Sequence, residues 1–419
     1  MKCQVVLELL DVAATSDSTG PRTCPTRTPL DTGDYDGATY YFEVVAESVI
    51  DTGARTIDLY NSAGSSVAQV SVPALIGSRK RIRSASFTPT AGLDDYRVRL
   101  EGTTGINSKL YLDTARIIIA QTGATKTRLS FPLMGANDDK YDGSTVSQTV
   151  DDTISTTYTA VAPNFYSIWK KTSASLATLA SGSPWRFEAC LRSPNALGTA
   201  YASLFNKTDN TQVTASEVST TSTTTVAATA AFADNATNFD NLDSFECRIK
   251  TSNAAYRIVI SRCALSAALN PATKTESYYR IQRERYFPAE AFTTVTLGRA
   301  LYDSATFDQP VIYFEGVGYR TFSGALYAHL RDHSTNDSGT NGTNVTSSQQ
   351  TYNTGAKVLS RSAALTITSG DRFISYLDSD SAPWGSYIIC SFLVVAATEA
   401  AAAEDTMHAQ PALGAGLAA

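Results

Sequence analysis

Hydrophobic and polar positions alternate with a period of two along most of this chain. Tyr96, Val98 and Leu100 fall on one side of a run whose other side is Arg97, Arg99 and Glu101. Phe245, Cys247 and Ile249 stand in the same way against Glu246, Arg248 and Lys250. Successive side chains of a strand point to opposite faces, so this spacing predicts half-buried β-strands. The opening residues follow suit, with Cys3, Val5, Leu7 and Leu9 on one face. Turn signals such as Ser62-Ala63-Gly64, Thr103-Thr104-Gly105 and Asp142-Gly143 punctuate the runs at the short spacing of packed antiparallel sheets. Closing runs rich in Ile and Val, such as Ile117-Ile118-Ile119, belong at the centre of their sheets.

The pattern occurs three times. Tyr41-Phe42-Glu43 is echoed by Arg186-Phe187-Glu188 and Tyr313-Phe314-Glu315. Leu59-Tyr60-Asn61 is echoed by Leu204-Phe205-Asn206 and Leu330-Arg331-Asp332. The Phe of the first landmark precedes the aromatic of the third by 54 residues (42 to 96), 58 (187 to 245) and 59 (314 to 373). The closing run Arg116-Ile117-Ile118-Ile119-Ala120 is matched with Arg262-Cys263-Ala264-Leu265 and Phe392-Leu393-Val394-Val395-Ala396. Ala124-Thr125-Lys126-Thr127 and Ala272-Thr273-Lys274-Thr275 each lead into a new strand. One supersecondary plan used three times gives an all-β chain of three tandem antiparallel β-sandwich (jelly-roll) domains, 1–122, 123–271 and 272–397. The Ala-rich residues 398–419 read as a short helix or a loose tail. Ser216 to Ala231, a Ser/Thr/Ala tract, reads either as a β-edge with a long loop or as a flexible insertion.

Composition narrows the function classes. Charged residues make up 18% of the 419-residue chain and the net charge is -6, which argues against a nucleic-acid grip by the chain as a whole. The one basic cluster, Arg79-Lys80-Arg81-Ile82-Arg83, reads as a solvated strand face. No run has the apolar length of a membrane helix, and Glu8 interrupts any export-signal core. The expectation is assembly in a cytoplasm, or export by a presequence since removed. Of six cysteines, Cys190, Cys247 and Cys263 occupy small core columns. A hairpin turn near Thr251–Ala255 would set Cys247 opposite residue 258 or 259, and Cys3 with Cys24 is the disulfide least excluded.

Candidate chemistry is sparse. No Walker loop, Gly-x-Ser-x-Gly, His-Glu-x-x-His or dinucleotide fingerprint is present, and the expectation is that the protein is not an enzyme. His329 and His333 are four apart but lie on a strand end and a loop, without an acidic third ligand at a suitable spacing. Glu43, Glu188 and Glu315 recur between apolar neighbours, which points to a hydrogen bond or ion pair fixing a strand rather than to catalysis. Two acidic loops offer oxygen ligands for Ca²⁺: Asp31, Asp34 and Asp36 before Gly37, and Asp138, Asp139 and Asp142 before Gly143. Asp/Gly is also ordinary turn chemistry. Trp384, with Trp169 and Tyr166, could stack on a sugar ring or serve an interface, whereas Trp185 belongs to a core.

Together the Phe-Glu, Leu-Tyr-Asn, Tyr-Arg-Val-Arg-Leu and closing Ile/Val strands resemble the carbohydrate-binding-module type of jelly roll seen in bacterial surface proteins and in phage tail and capsid-decorating proteins. The resemblance implies display, adhesion or assembly: a virion component such as a tail, fibre or capsid-surface protein, self-assembling or binding other virion proteins. The alternative is a secreted cell-surface adhesin or filament subunit with carbohydrate-binding modules and a glycan partner. For that setting the sequons at Asn206, Asn235, Asn336, Asn341 and Asn344 become relevant.

Overall fold

The computed structural model describes residues 2–10, 14–16, 20–24, 26–49, 53–74, 80–102, 108–122, 125–133, 151–161, 165–169, 184–233, 243–269, 276–287, 300–301, 311–320, 324–332, 343–355, 358–368, 372–379, 386–396 and 407–411. The architecture is all-β, with six antiparallel sheets among the described residues. A 3-10 turn at Thr32–Asp34 is the one helical element among the described residues, as expected of a chain rich in Thr and aromatics.

Three of the sheets share one strand order. In the first repeat an entering strand, Lys2–Leu10, pairs with the closing strand, Lys109–Thr122. The closing strand pairs on its other side with the Phe-Glu strand, Ala38–Val49, whose far neighbour is the edge strand Lys80–Phe87. The second repeat has the same order with Thr127–Pro132, Ile258–Leu269, Trp185–Arg192 and Val226–Phe232. The third has it with Glu276–Phe287, Ser386–Ala396, Val311–Tyr319 and Val358–Arg361. We call these the inner sheets. Each closing strand therefore lies inside its sheet, as its apolar content predicts.

The other three sheets, the outer sheets, also correspond. Leu93–Leu100 pairs with Arg55–Tyr60, Ser244–Thr251 with Ala200–Asn206, and Arg372–Ser379 with Leu326–Asp332. Each repeat has a cluster of buried residues drawn from both of its sheets. In the first, Leu7, Phe42 and Ile117 of the inner sheet meet Leu59, Tyr96 and Val98 of the outer one. Phe187 and Leu265 meet Leu204 and Phe245 in the second, and Phe314 meets Leu330 and Phe373 in the third. Trp185 is buried in the second cluster, where the sequence put it.

Three expectations are corrected. The closing run of the second repeat aligns two residues away from the sequence match, with Phe187 opposite Leu265 where Phe42 stands opposite Ile117, while that of the third, with Phe314 opposite Leu393, aligns as matched. A shift of two leaves every side chain on its own face, so alternation cannot reveal it. Cys247 stands opposite Leu204 and not a residue of the closing strand, because the turn after Thr251 carries the chain from one sheet to the other. Cys190, Cys247 and Cys263 are buried, as their core columns predict, and so is Cys24. Finally, the tail contains a strand: Met407–Pro411 pairs antiparallel with Phe165–Trp169 at the edge of the second repeat's outer sheet. An edge strand exposes unpaired backbone groups, and pairing with them requires no hydrophobic alternation in the added segment. The Ser/Thr/Ala tract takes the first of its two readings, forming the strands Val218–Thr220 and Val226–Phe232.

Phe42, Phe187 and Phe314 are each 0% exposed at the centre of a cluster. Truncating any one of them to Ala should cost about 3–5 kcal/mol in a denaturant titration. A loss below about 1 kcal/mol at any of the three would contradict its place in the core.

Candidate functional site

On the Phe-Glu strand of each inner sheet, described residues of both faces are buried. In the first repeat the residues turned away from the core include Glu43, Val45, Arg116 and Ile118, all at most 5% exposed. In the second they include Glu188, Arg262 and Ser266, and in the third Tyr313 and Glu315. The covering groups come partly from other repeats: the Tyr35 hydroxyl donates to the Arg128 carbonyl (3.0 Å), and Arg262 Nη2 donates to the Glu8 carbonyl (3.1 Å). Val6, on the outward face of the first entering strand, packs against the buried cluster of the third repeat.

The glutamate of each Phe-Glu segment sits on this face, and a carboxylate removed from water is costly unless it is paired and hydrogen-bonded. Glu43 has three guanidinium partners: Arg116 Nε at 2.7 Å, Arg81 Nη2 at 2.6 Å and Arg83 Nη2 at 2.8 Å. Arg83 stands directly opposite Glu43 on the edge strand, and Arg116 directly opposite on the closing strand. Glu315 receives both Nε (2.7 Å) and Nη2 (2.6 Å) of Arg361, again its edge-strand opposite. In both repeats the same arginine also lies over the preceding aromatic, Arg83 over Tyr41 at 5.4 Å and Arg361 over Tyr313 at 5.0 Å. The glutamates thus have the strand-fixing role the sequence assigned. The basic tract is corrected: Arg81 and Arg83 are partly buried counter-ions with side-chain exposures of 15% and 24%, not a solvated face.

Glu188 differs. Its edge-strand opposite is Thr229 and its closing-strand opposite is Ala264, so neither neighbour carries a charge. The Ser266 hydroxyl donates to its Oε1 at 2.6 Å. The nearby arginines are engaged elsewhere: Arg186 grips both oxygens of Asp34 at 2.6 and 3.1 Å, and Arg128 Nε lies 3.2 Å from Asp34. Burial pushes the Glu188 carboxyl up to about 7, against the lowering influence of Ser266, Arg128 and Arg186. Burial also pushes Glu43 up, but Arg116, Arg81 and Arg83 outweigh it and hold that carboxyl at about 2.

The acidic loop read as a calcium candidate lies at the joint between the first and second repeats. Asp31 accepts from the Gly33 N–H (3.0 Å), Asp34 is held by the two arginines, and Asp36 accepts from the N–H groups of Thr125 (2.9 Å) and Lys126 (2.8 Å) and from the Thr125 hydroxyl. The Thr125 and Lys126 bonds hold the Asp36 carboxyl down at about 2. Among the described residues, no three His, Cys, Asp or Glu gather as metal ligands. Asp138, Asp139, Asp142, His333 and Trp384 lie outside the described residues. Tyr166 and Trp169 lie in the strand that receives the tail, opposite Gln410 and Met407. Asn206, the first sequon, is 0% exposed, and its amide donates to Asp209 and Asp243, so no glycan can be attached there without unfolding the site.

The outer sheets carry a feature that sequence reasoning missed. On the face away from the core, a cation lies over an aromatic ring at one place in all three repeats: Arg99 over Tyr60 (5.3 Å), Arg248 over Phe205 (4.4 Å) and Arg331 over Tyr376 (3.6 Å). Strand register puts Tyr60, Phe205 and Arg331 in one column and Arg99, Arg248 and Tyr376 in the other, with the roles exchanged in the third repeat. Lys250 extends the second pair between Tyr158 (4.2 Å) and Tyr201 (4.9 Å), and Glu217 accepts from both Lys250 and the Tyr158 hydroxyl.

No family model matches the chain, and no curated protein matches it in sequence. Among solved structures, one chain of the entire lipid-containing bacteriophage PM2 is similar at 7% identity, with 92% of this chain and 99% of that chain covered and a TM-score of 0.20. The N-terminal CBM22-1–CBM22-2 tandem domain from Paenibacillus barcinonensis Xyn10C is similar at 11% identity, covering 55% of this chain and 78% of that one, with a TM-score of 0.18. Neither superposition is close enough to carry an argument. No described helix is long and apolar enough to cross a membrane.

Two outcomes follow from the charge arrangement. Glu43→Gln leaves three guanidinium groups facing a neutral partner and should cost about 3–5 kcal/mol near neutral pH by denaturant titration. Because the folded carboxyl lies below its ordinary value, the stability Glu43 contributes is complete above about pH 4.5 and is lost as pH falls towards about 2. Since Asp34 and Asp36 are already bonded to cations and amides, a chelator should leave Tm unchanged. A drop of several degrees on chelation would instead establish a metal on this loop.

Proposed function

We propose that this protein is a non-enzymatic structural or adhesive component, built as three tandem jelly-roll sandwiches that present surface rather than a reaction centre. The setting that the sequence resemblance favours is a phage virion, as a tail, fibre or capsid-surface protein. The observation that carries the reading is the threefold repetition of one inner-sheet order and of one outward cation–aromatic pair. Repeats that keep the same pair on the outward face of the outer sheet suit a lattice or a multivalent target, where weak contacts add through linkage. The half-buried Tyr60 and Tyr201, with Arg99 and Lys250 over their rings, have the aromatic and cationic character that interfaces concentrate. The edge at Phe165–Trp169, which accepts the five-residue strand Met407–Pro411, shows a sheet extended by an added strand, the mode that would serve assembly.

Sedimentation velocity and negative-stain imaging of the purified chain test this. Oligomers or filaments are expected, and their partial dissociation is expected for Arg248→Ala combined with Phe205→Ala. A chain that stays monomeric at about millimolar concentration, with no partner recovered from particles, would overturn the assembly reading.

A further inference from the structure

At the joint between the first and second repeats Asp34 and Glu188 lie near two arginines, and Glu188 has no charged residue directly across from it in its own sheet. In the other repeats the edge strand supplies an arginine directly across from the column glutamate, Arg83 for Glu43 and Arg361 for Glu315. In the second repeat that position is Thr229, within an edge strand that reads Val-Ala-Ala-Thr-Ala-Ala-Phe. The column two residues before the glutamate changes at the same time: where Tyr41 and Tyr313 stand in the other two, the second repeat has Arg186. Arg186 and Arg128 then face Asp34 from the first repeat and Glu188 from the second, with Asp31 also 3.6 Å from Arg186. The geometry gives them to Asp34.

We propose that Glu188 makes this joint pH-sensitive: while Glu188 is neutral, Arg128 and Arg186 clamp Asp34 and lock the two repeats together, and when Glu188 ionises it competes for the same guanidinium groups and loosens the lock. The groups facing it are few. From the first repeat they are Asp34 and Tyr35, whose hydroxyl is tied to the Arg128 carbonyl, and Asp31 beside Arg186 at 3.6 Å. The entering strand of the second repeat contributes Arg128 and its own strand contributes Arg186 and Cys190, the thiol pushed up by burial. The closing strand contributes the Ser266 hydroxyl, while its Arg262 is directed to the Glu8 carbonyl. The edge strand presents Ala228, Thr229 and Ala230, none of them ionisable.

The sign follows from the raised carboxyl. Glu188 is protonated in the closed joint up to about pH 7, whereas freed into water it ionises near the ordinary 4.5. Opening therefore releases a proton in that window, and the joint weakens as pH rises. Tyr35 stays neutral throughout, its hydroxyl pushed well above the ordinary value by burial. Asp36, whose carboxyl titrates at about 2, keeps its own bonds to Thr125 and Lys126 unchanged across the same range.

Amide exchange at Thr125 and Lys126 in the full chain, corrected for the intrinsic base-catalysed rate, reads the joint directly. Between about pH 5.5 and about pH 8.5 the opening equilibrium of the wild type should rise roughly 30-fold. Glu188→Gln should abolish that dependence and keep the joint closed at the higher pH. Thr229→Arg, which supplies the counter-ion the other repeats possess, should lower the Glu188 carboxyl and flatten the profile as well. A wild-type profile without pH dependence overturns the proposal, as does one that Glu188→Gln leaves unaltered. If Glu188→Gln does not fold, a Thr229→Arg profile as steep as the wild type overturns it.

Discussion

A carboxylate enclosed between two layers of protein must find a guanidinium or take up a proton, and every repeat of this chain encloses one. Glu43, Glu188 and Glu315 lie on the outward face of strands that are themselves covered, so the ordinary solution of letting the charge reach water is closed to them. The arginines of the edge and closing strands are fixed by that need. Arg83, Arg116 and Arg361 stand directly across from their acids, which ties strand register to charge neutralisation. A one-residue slip would turn the phenylalanines out of the core and the glutamates into it, leaving buried charge on both sides.

Much of this architecture was legible along the chain. Period-two alternation located the strands, and the recurrence of the Phe-Glu segment gave three equivalent elements whose pairing order proved to be the same. What pattern could not give was alignment to the residue. The closing runs were matched on Arg116 and Arg262, two arginines on outward-facing positions, while the sheet pairs Ile117 and Leu265 with the equivalent phenylalanines. Both alignments put apolar side chains inside, so only the hydrogen-bonded ladder distinguishes them. The tail strand escaped for a related reason, since main-chain pairing at an open edge leaves no hydrophobic signature.

The charged groups were the least legible, because their partners are far away in sequence. Three aspartates before a glycine have the composition of a cation loop, and nothing local says otherwise. Their partners are Arg128, Arg186 and the amides at Thr125 and Lys126, about 90 to 150 residues further along. The tract around Arg81 and Arg83 looked solvated for the mirror-image reason: its acid, Glu43, comes from a neighbouring strand some 40 residues back. The outer-face cation–aromatic pairs were hidden by the role exchange in the third repeat, where arginine and tyrosine trade columns and defeat residue-by-residue comparison.

Repetition also makes divergence interpretable. The Ser/Thr/Ala tract of the second repeat first stands out as low complexity, yet its consequence is electrostatic. By placing Thr229 where its counterparts carry arginine, it removes the in-sheet counter-ion and leaves Glu188 dependent on groups at the joint. Arg186 enters the column that tyrosine holds elsewhere, and Arg128 comes from the entering strand, so the second repeat obtains its positive charge from the side that meets the first repeat. The acid loop of the first repeat takes those arginines. One substitution pattern within a copied scaffold thus converts a self-contained ion pair into a shared one, and a structural column becomes coupled to how neighbouring repeats are held together.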